Sequence, residues 1–112
     1  QVILMNKILL ATALLTLSAN ASGQTAFGYG TRDCSEMIKD DGIGQELDRF
    51  SYISWIHGFL TRVSAEYGLG NLAADLSNDD MYSSVLTLCK QQPDRLFVSA
   101  VEYWIFTGLL NQ

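Results

Sequence analysis

Histidine and proline each occur once in this chain, cysteine occurs only twice, and basic residues are outnumbered almost two to one by acids. One histidine with two cysteines is too small a donor set for a zinc site. The acidic segment with Asp75, Asn78, Asp79 and Asp80 lacks the alternating ligands, the central glycine and the closing bidentate glutamate of a calcium loop, and helix capping accounts for the same residues. No metal or other cofactor is therefore expected. Seven Lys and Arg against twelve Asp and Glu leave no positive footprint for nucleic acid or an anionic membrane surface. A basic protein partner remains compatible. Alternation at period two is never sustained, so strands are not expected, and neither internal repeats nor low-complexity stretches occur.

What is present begins with an export signal. Lys7 follows Met5 and Asn6 and leads into an apolar run over residues 8–17, closed by Ala19-Asn20-Ala21 in the small-x-small pattern of a cleavage site. The core of the run, about ten residues, is too short to span a bilayer. Residues 1–21 are read as a signal peptide, with residues 1–4 as an upstream extension, and residues 22–112 as the exported domain. No cysteine follows the cleavage site for a lipid anchor, and no second long apolar stretch occurs. The mature chain is expected to be soluble, in the periplasm if the host is Gram-negative. Loss of Lys7 leaves six cations against twelve acids, a net charge of −6. In an oxidising compartment, an even cysteine count predicts a Cys34–Cys89 disulfide. Closing a loop of about fifty-five residues removes roughly 4 kcal/mol of denatured-state freedom in the chain-entropy account. For a domain this small that is comparable to its net stability.

Helical periodicity organises the mature chain into one all-α domain, a small bundle of about four helices with one disulfide. Residues 22–31 are Gly-rich and read as a flexible arm. Asp33-Cys34-Ser35-Glu36 has the spacing of a capping box and predicts a short helix ending near Gly42, with Cys34, Met37 and Ile38 inward. Over residues 45–67, Tyr52, Ile53, Ile56, Phe59, Leu60, Val63 and Tyr67 share an arc of about 120° and predict the central helix. Gly58 lies off that arc, beside Trp55. A glycine there costs about 1 kcal/mol relative to alanine, which points to close approach of another backbone. Ser77 with Asp79 and Asp80 opens a third helix that carries Met81, Val85, Leu88 and Cys89 on one face. Pro93 is placed to open the last helix, over residues 94–109.

The chain resembles the HdeA/HdeB-like group of small periplasmic helical proteins. The resemblance rests on a cysteine opening a short first helix, on Trp55, Gly58 and Phe59 in a Trp-x-x-Gly-Phe central helix, and on Val85 to Pro93 in a Val-x-x-x-Cys-Lys-x-x-Pro pattern. It covers most of the mature chain. It implies a disulfide-stapled helical fold and, for the best-known members, chaperone activity under acid stress. The uncharged end Leu109-Leu110-Asn111-Gln112 departs from the lysine-rich termini of such chaperones.

Catalysis is not expected. Ser54, His57 and Asp48 lie along one helix without an oxyanion site, and His57 reads as a boundary residue of the apolar stripe. Tyr103, Trp104, Ile105 and Phe106 point in successive directions around the last helix. They serve core packing, a dimer interface or a client-binding surface, and one helix can combine these. The leading reading is a non-catalytic stress protein that binds protein clients when acid drives the charge from −6 to about +8 and exposes apolar surface. The alternative is a periplasmic immunity-type inhibitor that neutralises one toxic enzyme. A homodimer is compatible with either.

Overall fold

The computed structural model describes residues 28–70, 72 and 74–110. The expected signal peptide and upstream extension, and residues 22–27 of the expected arm, lie outside the described residues. Among the described residues the domain is all-α, with four helices and one disulfide. Helix α1 spans Cys34–Ile43, α2 Glu46–Tyr67 and α3 Asn78–Gln91; α4 spans Phe97–Tyr103 and continues without a break into a π-helical turn, Trp104–Leu109. A 3-10 turn, Gly28–Thr31, precedes them.

Helix ends follow local chemistry where local chemistry is free to act. Gly44 and Gly68 stop α1 and α2 in the left-handed conformation, at φ 80° and 64°, where only glycine sits without strain. Helix α1 therefore runs one residue past the expected stop at Gly42. The Ser77 hydroxyl accepts from the Asp80 amide at 3.0 Å, so the cap of α3 forms as predicted.

Two ends depart from local expectation for one reason. Residues 32–35 lie antiparallel to residues 93–97: the Cys34 amide donates to the Arg95 carbonyl (2.8 Å), Ser35 to Pro93 (2.9 Å) and Phe97 to Arg32 (2.8 Å). Asp33 and Leu96 form the bridge between them. The first amides of α1 are thus satisfied by a distant segment or by the Asp33 carbonyl. The Asp33 side chain makes no cap bond. Glu36 faces Arg32 instead, at 4.0 Å. The same pairing turns the Pro93 and Arg95 carbonyls away from any helix axis, so the last helix opens at Phe97 rather than at Pro93.

The core collects one face from each helix. Cys34 and Met37, then Tyr52, Ile53, Ile56, Leu60 and Val63, are buried against Met81, Val85 and Cys89 and against Phe97, Ala100 and Val101. Tyr82 and Leu86 join them, and the expected Ile38, Phe59 and Leu88 are only partly covered. Tyr67, placed on the same arc by periodicity, is 60% exposed. The disulfide joins α1 to the end of α3 with a Cα–Cα distance of 4.8 Å.

The close approach expected at Gly58 occurs elsewhere. A Cβ on Gly58 would meet nothing within 4 Å among the described residues, whereas one on Gly30 would lie 2.1 Å from the Trp55 ring. Gly30 is buried under that indole, so residues 28–31 are a packed turn rather than part of a free arm.

Truncating Ile56 to alanine should cost about 2–5 kcal/mol in urea unfolding, the range for a fully buried aliphatic side chain. Replacing both cysteines with serine should cost a further 2–5 kcal/mol or so. A loss below about 1 kcal/mol at Ile56 would mean that α2 is not central.

Candidate functional site

An open groove of about 1060 Å³ runs between α2 and α4. Its α2 wall presents Trp55, Gly58, Phe59, Arg62, Val63, Glu66 and Tyr67, and its other wall presents Val98 and Glu102 of α4 and Phe106 of the π-helical turn that continues it. These positions follow helical spacing, with steps of three and four on α2 and of four on α4. At one end the Trp55 ring meets Phe97 edge-on at 5.4 Å, and at the other Tyr67 meets Phe106 at 6.4 Å. The two helices therefore run in the same direction, and the α2 wall extends for about 18 Å between Trp55 and Tyr67. Trp55 and Phe59 stack with centroids 5.3 Å apart, which fixes both rings along the floor.

The Trp-x-x-Gly-Phe motif and one of the four candidate residues of the last helix come together here. Phe106, 44% exposed, lines the groove; Trp104 and Ile105 are in the core, and Tyr103 is 51% exposed on another face, beneath the Arg95 guanidinium. The π-helical turn contributes to this division. The Leu110 amide reaches back five residues to Ile105, and the widened turn seats Trp104, Ile105 and Leu109 against the core together. Sequence reasoning did not single out Ile43, Leu47 and Phe50, all well exposed around the α1–α2 junction. Leu47 and Phe50, three residues apart on one face, were the available signal.

A second feature lies toward the N-terminal end of α2. Tyr52 is fully buried, and its hydroxyl donates to Asp40 at 2.7 Å; Tyr82 donates to Asp41 at 3.1 Å and Tyr29 to Asp48 at 2.8 Å. Arg32 donates to the same Asp40 oxygen at 2.7 Å and lies 4.0 Å over the Tyr29 ring. Arg49 lies 4.3 Å over the Tyr82 ring and pairs with Asp79. Adjacent carboxylates at the end of α1 thus tie it to α2 and α3 through phenols. Burial, and next the bond to a carboxylate, pushes the Tyr82 phenol up to about 12 and moves Tyr52 in the same direction.

The residues considered for catalysis are engaged separately. Asp48 accepts from Tyr29, and His57 Nε2 lies 2.9 Å from Asn78 Oδ1. His57 also edges a smaller pocket of about 480 Å³ with Leu60, Thr61, Ser64, Gly70, Ala74, Leu76 and Met81. Among the described residues no three His, Cys, Asp or Glu side chains converge as metal donors, and no helix is long and apolar enough to cross a membrane.

Fold and site together define a small disulfide-stapled helical domain with an open aromatic groove. No family model, curated protein or solved structure matches the chain.

The raised phenols give a stability term with a definite sign. A group whose folded pKa is raised stabilises fully below its unfolded value, near 10 for tyrosine, and loses that contribution as pH rises through the folded value, about 12 for Tyr82. The urea midpoint should fall as pH is raised from about 10 to about 12. Tyr82→Phe should lower stability near neutrality by about 1 kcal/mol through the lost bond to Asp41, and should make the alkaline decline shallower. An unchanged alkaline slope would count against a folded-state role for this phenol.

Proposed function

We propose that this chain is a non-catalytic exported protein that binds other proteins through the α2–α4 groove, of the acid-stress chaperone type that the HdeA/HdeB resemblance implies. The observation that carries the reading is the meeting of Trp55, Phe59, Tyr67 and Phe106 along one open groove. Folded monomers seldom expose a contiguous aromatic surface without a use for it, and aromatic side chains are enriched where proteins bind one another.

Acid supplies a physical trigger. Protonating every carboxylate takes the mature chain from −6 to about +8, counting six Lys and Arg, His57 and the amino terminus. Asp40, Asp41 and Asp48 hold phenols from three elements, and Asp40 and Asp79 each pair with an arginine. Protonation removes the ionic part of these contacts while the disulfide keeps α1 and α3 joined. Loosening of the turn over residues 28–31, which Asp48 holds through Tyr29 and which packs on Trp55, would then open that end of the groove to unfolded clients.

The test is light scattering of an aggregating client at about pH 3, below the ordinary carboxylate range. The wild-type mature protein should suppress scattering. Phe106→Ser and Tyr67→Ser, both at exposed groove positions, should suppress it less, while Phe50→Ser outside the groove should match wild type. Equal scattering with and without the protein would remove the chaperone reading. A single tight partner at neutral pH, with no acid effect, would favour the inhibitor reading.

A further inference from the structure

Gly58 sits in the interior of a helix of 22 residues, where glycine is unfavourable, and no described residue comes near the place its Cβ would occupy. No contact among the described residues accounts for it. Its surroundings on the surface do: Trp55, Phe59 and Arg62 flank it, and together they line the wall of the α2–α4 groove. A missing side chain beside the stacked Trp55 and Phe59 rings leaves a notch through which a second backbone can reach α2. The rim adds a charge preference. Arg62 is balanced by Glu66 on its own helix, at 3.8 Å, and Glu102 across the groove adds a second carboxylate. The groove is thus apolar along its floor and net negative at its edge.

Resting on the reading of this groove as a protein-binding site, we propose that its occupant near neutral pH is a basic amphipathic helix of another protein. Its backbone packs over Gly58, its apolar face lies on Trp55, Phe59 and Phe106, and a lysine or arginine meets Glu102. The wall length of about 18 Å accommodates about three helical turns, the usual scale of helix-in-groove recognition. A cation placed against Glu102 favours correct encounter and disfavours acidic helices.

The probe is a designed amphipathic helical peptide with Leu and Phe on one face and Lys at both flanks, compared with the same peptide carrying Glu flanks. Binding to the full mature protein near neutrality is followed by anisotropy of the labelled peptide. The Lys-flanked form should bind at least about tenfold more tightly, and Glu102→Lys should abolish or reverse that preference. Gly58→Ala should raise the unfolding midpoint temperature and yet weaken the peptide by about tenfold, a combination that a damaged fold would not produce.

Equal binding of the two peptides, or unchanged affinity in Gly58→Ala, would overturn the proposal. So would sedimentation showing a dimer at neutral pH that Gly58→Ala dissociates, because the occupant would then be a second copy. Its failure separates from failure of the chaperone reading. Loss of client protection in Phe106→Ser at acid pH, with no discrimination between the peptides, would remove only the proposal made here. Selective peptide binding with no client protection would remove only the chaperone reading.

Discussion

The antiparallel pairing of residues 32–35 with residues 93–97 is the constraint on which the rest of the structure depends. It supplies partners for the first amides of α1, sets where α4 begins, and lies beside the disulfide between Cys34 and Cys89. Cross-link and hydrogen bonds act on the same small region, so each reduces the ordering cost of the other. The turn over residues 28–31 then falls against α2, where Gly30 admits the Trp55 ring, and Trp55 in turn meets Phe97 just past the paired segment. One end of the aromatic groove is therefore built directly on the clamp.

Helix α2 carries two kinds of aromatic position along one broad face. Near its start Tyr52 contacts Tyr29, Tyr82 and Phe97 edge-on while its hydroxyl reaches Asp40, so apolar burial and polar satisfaction are met by one residue type. Further along, Phe59 and Tyr67 are left incompletely covered, and Trp55, packed on Gly30 and Phe97, keeps part of its ring at the groove. The first holds the helices together. The others leave aromatic area facing outward.

Those parts of the fold governed by near neighbours were readable from the sequence. The apolar arc of α2 and the Ser77 cap depend on residues close in sequence, and they were found in place. The start of the last helix was misplaced because a distant backbone segment, invisible to local pattern, takes the carbonyls of Pro93 and Arg95. Tyr52 on the stripe and Tyr82 next to Met81 betray nothing of the carboxylates they reach, which lie on another helix. Trp55, Gly58, Phe59 and Phe106 each stood out as residues. Their meeting in one groove depends on how α2 and α4 lie together, and no spacing within either helix encodes that.

The position of the cross-link also divides the chain by its response to proteolysis. A cut in the connection between α2 and α3 falls inside the loop closed by Cys34 and Cys89, so the two pieces remain one covalent molecule able to hold their packing. A cut among residues 92–96 falls outside it and frees the whole of α4, which contains no cysteine. A nick in the α2–α3 connection therefore leaves the pieces linked, whereas one in the short stretch before α4 does not. That stretch is also the one held by backbone pairing to residues 32–35, so the site where cleavage would do most harm is kept out of the extended, detached form that a protease needs.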